Sequence, residues 1–170
     1  TDVNGSVEFT YNIPTTQPLG PIIITLHYNG TWNLLPDASP INTVTVRSIT
    51  VLVVDSITDN PIAGGGFNVT GTLVSDNGSA IITRDGTPML PTLTFDIDGF
   101  TNTFTVANGT AQGNGTWWAW VTLDAAFPRG THLITAEYTP TVNFYEFSSG
   151  NNTFDSRGYS VLTITAPLDL

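Results

Sequence analysis

The sequence predicts an all-β protein built of antiparallel β-sandwiches, and three observations carry that expectation. Apolar residues nowhere recur at helical spacing over three turns. Short alternating or β-branched runs are interrupted by Gly, Asn, Asp or Pro about every eight to twelve residues, the rhythm of sandwich strands. The chain also matches itself at an offset of 110 residues, the size of one seven-stranded sandwich.

Taken in order, the runs that read as strands are 7–13, closed by Pro14, and 22–28, closed by Asn29-Gly30. The long β-branched stretch 44–54 follows, then 67–74 before Asp76-Asn77-Gly78, and the short run 80–83 before Asp85-Gly86. Next come 93–97, closed by Asp98-Gly99, then 103–106 before Asn108-Gly109 and 116–123 after Asn114-Gly115. The last two are 132–138, closed by Pro140, and 159–164.

The repeat aligns residues 1–60 with 111–170 without a gap and with sixteen identities. Among them are Asn4/Asn114, Gly20/Gly130, Ile24/Ile134, Tyr28/Tyr138, Asn42/Asn152, Arg47/Arg157, Val51/Val161 and Leu52/Leu162. Since 170 residues hold one repeat and little more than half of another, the expected organisation is a C-terminal half-repeat over 1–54 and a complete repeat over 55–170. A half sandwich leaves an inner face wet and edges unpaired, so its missing strands are expected from a neighbouring segment or subunit.

Composition sets the class of function. The chain has no lysine and no cysteine, four arginines against fourteen acidic residues, and a formal charge of -10. Such a surface repels phosphate backbones, which excludes nucleic acid as a partner. No apolar run approaches a membrane span. Thr, Ser, Asn and Gly number 29, 10, 14 and 16, the make-up of a wall or surface protein. Asn-x-Ser/Thr acceptors begin at Asn4, Asn29, Asn68, Asn77, Asn108, Asn114 and Asn151, and glycans are expected on them. Five of the seven read Asn-Gly, which is also hairpin-turn chemistry. Localisation is therefore expected to be extracellular, at the cell surface or secreted.

The run from Arg129-Gly130-Thr131-His132 to Ala136-Glu137-Tyr138, and its counterpart from Leu19-Gly20 to Tyr28, resembles a late strand of immunoglobulin-like and filamin-like tandem repeats of prokaryotic cell-surface proteins. Val69-Thr70-Gly71-Thr72-Leu73, followed by Asp76-Asn77-Gly78, is similar to the early strand and turn of those repeats. The resemblance implies immunoglobulin-like sandwiches in a bacterial or archaeal stalk, adhesin, surface layer or filament. It implies no catalytic set. Pilins of this type staple themselves through lysine isopeptide bonds, which a lysine-free chain cannot form.

Candidate chemistry is sparse. Arg47 and Arg157 occupy equivalent places and suit structural ion pairs. His27 and His132 are not equivalent and lack motif partners, so each reads as structural. Asp96 and Asp98, two apart on a strand, would face one way and could take Ca2+, although the longer calcium-loop pattern is absent. Otherwise no cofactor is expected. In the strand holding Trp117-Trp118-Ala119-Trp120, alternation sends Trp117 inward with Ala119, and sends Trp118 and Trp120 outward as an exposed apolar pair expected to mark an interface.

These features predict a structural extracellular protein, not an enzyme: a subunit or fragment of a filament, sheath, stalk or surface layer of immunoglobulin-like repeats. Its partners would be copies of itself or adjacent repeats. The alternative expectation is an adhesin or carbohydrate-binding module that stacks sugars on Trp118 and Trp120.

Overall fold

The computed structural model describes residues 8–14, 17–33, 35–100 and 102–160, and among them there are eleven strands and no helix. The chain divides into two compact units, at residues 1–47 and 48–170.

The first unit holds β1 (Gly20–Ile24), β2 (His27–Tyr28), β3 (Asp37–Ala38) and β4 (Asn42–Val46). β1 pairs antiparallel with β4, from Gly20 opposite Val46 to Ile24 opposite Asn42. β2 pairs with β3, His27 opposite Ala38. Between the two ladders the Ser39 N–H donates to the Leu26 carbonyl at 2.8 Å, and the Leu26 N–H donates to Ser39 Oγ at 2.9 Å. Pro40, which has no N–H to give, stands in this break.

The second unit is a complete sandwich. Its strands are β5 (Thr50–Val54), β6 (Gly66–Ser75), β7 (Thr94–Ile97), β8 (Phe104–Ala111), β9 (Thr116–Leu123), β10 (Gly130–Tyr138) and β11 (Ser148–Ser156). One sheet runs β5-β6-β9-β8 and the other β11-β10-β7. Four strands on three in this order is the constant-type immunoglobulin arrangement. The inner faces meet through rings: Phe67 of β6 lies 4.7 Å from Phe154 of β11, and Phe95 of β7 lies edge-on 5.7 Å from Trp117 of β9. Gly71, opposite Trp117 in the ladder, leaves room for that indole. A Cβ there would run into both the Trp117 ring and the Val53 carbonyl.

The structure departs from the sequence reading at definite places. The 44–54 stretch is two strands, because at Ser48 the backbone turns to bridge Tyr145. The Ser48 N–H donates to the Phe144 carbonyl at 2.9 Å, and the Glu146 N–H donates to the Ser48 carbonyl at 3.2 Å. β5 then pairs with β6, so residues 50–54 belong to the complete sandwich and the boundary falls after residue 47 rather than after 54. Residues 8–13 form no strand. Their counterpart β9 is held between β6 and β8, and the first unit has no such neighbours among its described residues. Residues 80–83 make only single bridges, Val74 to Ala80 and Ile82 to Pro88, because the Thr83 hydroxyl engages Asp85 and the Thr87 backbone in a tight turn. Conversely β11 is a nine-residue strand where the polar sequence predicts none. The expected strand over 159–164 lies, from residue 161 on, outside the described residues, as do Asn4 and Val7.

Candidate functional site

The most informative surface is the inner face of the first unit. The β1–β4 ladder and the start of the β10–β11 ladder have the same register once 110 is added. Gly20 opposite Val46 corresponds to Gly130 opposite Ser156, and Ile24 opposite Asn42 corresponds to Ile134 opposite Asn152. Gly20 and Gly130 share a positive φ, at 102° and 125°, so each hairpin begins from the same backbone geometry.

What differs is burial. Tyr138 and Phe154 are 1% and 3% exposed, whereas their counterparts Tyr28 and Val44 are each 43% exposed. Ala119, Val121 and Leu123 are buried, while Phe9, Tyr11 and Ile13, at the equivalent positions, are about half exposed. At these five positions side chains that are buried in the second unit are open to solvent in the first, whereas Val46, like its counterpart Ser156, is buried. β7 lies along β10, with Ile97 opposite Ile134 and Phe95 opposite Ala136, but among the described residues β1 has no second neighbour. Trp32, between β2 and β3 and 95% exposed, adds to the apolar surface. Sequence reasoning passed over it because it sits outside any alternating run.

On the outer face of the four-stranded sheet, Trp118 and Trp120 point outward, as alternation predicts, at 43% and 44% exposure. Thr70 stands opposite Trp118, and Asn68 opposite Trp120, on β6. The Trp120 indole leans across Gly66, where a Cβ would come within 2.7 Å of its Nε1.

Asp96 and Asp98 do not share a strand face. β7 ends at Ile97, and Asp98 takes a left-handed φ of 49°. Asp96 Oδ2 accepts the Gly99 N–H at 2.9 Å. Asp98 is taken up by a partner 34 residues away: the Nδ1–H of His132 donates to its Oδ2 at 2.8 Å, and the Leu133 N–H donates to Oδ1 at 3.0 Å. The Leu133 N–H chiefly, with the His132 imidazole behind it, holds the Asp98 carboxyl below the usual carboxylate range against the opposing pull of burial. The second ring nitrogen of His132 lies 3.0 Å from the Pro128 carbonyl. The ring lies buried beside Phe100, Phe127 and Phe154. No sequence pattern signals this clasp. Among the described residues no group of three or more His, Asp or Glu side chains is gathered to hold a metal ion. His27 is exposed in β2, and Arg157 enters the sandwich through its backbone, bridged to Ile62.

The Asn-Gly acceptors behave as turns. Asn77 Oδ1 accepts from the Ser79 N–H and Asn114 Oδ1 from the Thr116 N–H, each followed by a glycine at positive φ. Asn29 also precedes a positive-φ glycine, Asn108 itself has a φ of 67° at the bulge in β8, and Asn151 lies in β11.

No protein-family model matches the chain, and no curated protein matches it in sequence. Among solved structures it is similar to domains 1–6 of the surface layer protein SbsC, with 17% identity and a TM-score of 0.41 over 84% of this chain and 17% of that one. It is also similar to domains 4 and 5 of SbsC, with 15% identity and a TM-score of 0.38 over 84% of this chain and 66% of that one.

Proposed function

We propose that the protein is a structural component of an extracellular assembly, a filament, sheath, stalk or surface layer, in which the open half-sandwich of the first unit is completed by strands from a neighbouring copy. The observation that carries this reading is the pair of hairpins with one register, in which Tyr28 and Val44 are exposed where Tyr138 and Phe154 are buried. An apolar face of that size in water costs free energy that a complementary sheet recovers. The repeat at 110 residues supports a linear series of such domains. The Thr-, Ser-, Asn- and Gly-rich composition and the seven glycan acceptors support life outside the cell.

The test is self-association of the full chain. Sedimentation and negative-stain microscopy of the protein should show multimers or fibres. The double variant Tyr28→Ser, Val44→Ser should sediment as a monomer while its complete sandwich unfolds at the same temperature. A wild-type chain that stays monomeric at high concentration, or a double variant that assembles unchanged, would overturn the proposal.

A further inference from the structure

We infer that Asn68 carries an N-linked glycan whose sugars lie on the outward indoles of Trp120 and Trp118, so that the exposed pair on the four-stranded sheet is covered by carbohydrate rather than by a second subunit.

Three observations meet at this place. First, Asn68 is one of two acceptors, with Asn151, that do not read Asn-Gly, so hairpin-turn chemistry gives no reason for it. It stands inside β6, where an asparagine is disfavoured by strand propensity, and its side chain faces solvent. Second, the ladder sets Asn68 directly opposite Trp120, and Thr70, the hydroxyl residue of the same acceptor, directly opposite Trp118. Directly opposed side chains on one face of an antiparallel pair are about 5 Å apart at Cβ, within the span of a single sugar ring linked to Asn68. Third, both indoles are exposed to a similar extent, Trp120 resting against Gly66. Large exposed aromatic pairs mark a contact. Next to the pair the face is small or polar, with Thr72 beside Thr116 and Ala107 on the far side of Trp120, and the exposed Val51 and Val53 stand beyond Thr72 on β5. A sugar has apolar C–H faces to lay on the rings and hydroxyls to keep in water, and both match this patch.

The modification balances without any group of this chain beyond the amide. The Asn68 side-chain nitrogen attacks the anomeric carbon of an oligosaccharide esterified to a lipid phosphate. A C–N bond forms, the C–O bond to phosphate breaks, and the amide proton leaves with the lipid phosphate. Because Asn68 points outward, the product is compatible with β6 lying between β5 and β9. This inference rests on the extracellular placement proposed above but not on the completed half-sandwich.

The experiment uses protein from its native source. Cleavage before Asp59 and Asp76 releases residues 59–75, which contain Asn68 and no other acceptor. Mass spectrometry should find this peptide carrying hexose-type mass. Hydroxyl-radical footprinting should then show Trp118 and Trp120 oxidised several-fold more in Asn68→Gln, and equally so in Thr70→Val, than in the native protein, with Asn77→Gln unchanged. An unmodified Asn68, whether other acceptors carry sugar or not, overturns the inference and leaves the assembly reading to its own sedimentation test. Indoles protected only in sedimenting assemblies, whatever stands at position 68, would assign them to a subunit contact and also overturn it.

Discussion

The hairpins at residues 20–46 and 130–156 have the same backbone pairing in two different settings. In the second, β7 and the opposing four-stranded sheet cover the apolar side, and Tyr138 and Phe154 are buried. In the first, Tyr28 and Val44 occupy the same places and stay open. The ladder register is therefore set locally, by the positive-φ glycine at its start and by the pairing itself, and does not depend on a completed core. A core over Tyr28 and Val44 is what the local pattern does not supply.

Truncating equivalent side chains should break the comparison most visibly. Leu123→Ala opens a cavity in the closed sandwich and should cost about 3 kcal/mol by denaturant unfolding. Ile13→Ala, its counterpart, should cost less than about 1 kcal/mol in the monomeric chain. Equal losses at both positions would show that residue 13 is already packed.

A smaller effect is expected at the Asp98–His132 clasp, which has no counterpart in the first unit because position 22 is an isoleucine. The Asp98 carboxyl is held below its ordinary value, so its contribution is complete above the usual carboxylate range and fades as pH falls through the lowered folded value. Asp98→Asn, a residue that tolerates the left-handed backbone, should flatten this part of the acid-unfolding curve and lower stability near neutrality.

The smallest effect should come from Tyr138. Burial first, and the nearby Tyr145 second, push its hydroxyl up to about 12. Because the folded value is raised, the contribution of the neutral phenol is intact below the ordinary value of 10.0 and is lost as pH climbs toward about 12. Tyrosinate absorbance should show a late step near that pH, absent in Tyr138→Phe.

Much of the architecture was legible in the sequence because alternation reports sidedness directly. Residues 116–123 emerge as β9 with Trp117 inside and Trp118 and Trp120 outside, and 67–74 as the centre of β6. β11 was hidden, since Ser148–Ser156 is polar and owes its extension to nine pairings with β10 rather than to its own residues. The split at Ser48 was hidden for the opposite reason: an unbroken β-branched run conceals a change of partner that only the long-range bonds to Phe144 and Glu146 reveal. The 7–13 run has strand periodicity, yet its described residues 8–13 form no strand, and periodicity alone does not make a ladder. At the sites, the outward indoles could be read from parity, but the Asp98–His132 pair joins residues too far apart for any spacing rule.

The bridges at the two ends of the sandwich have a mechanical consequence. Ser48 joins Tyr145 and Ile62 joins Arg157, both in parallel sense, so the chain enters beside one end of β11 and leaves beside the other. Tension applied along the polypeptide at Ser48 and Arg157 loads these bridges in shear, sharing the force among several hydrogen bonds at once instead of peeling them singly.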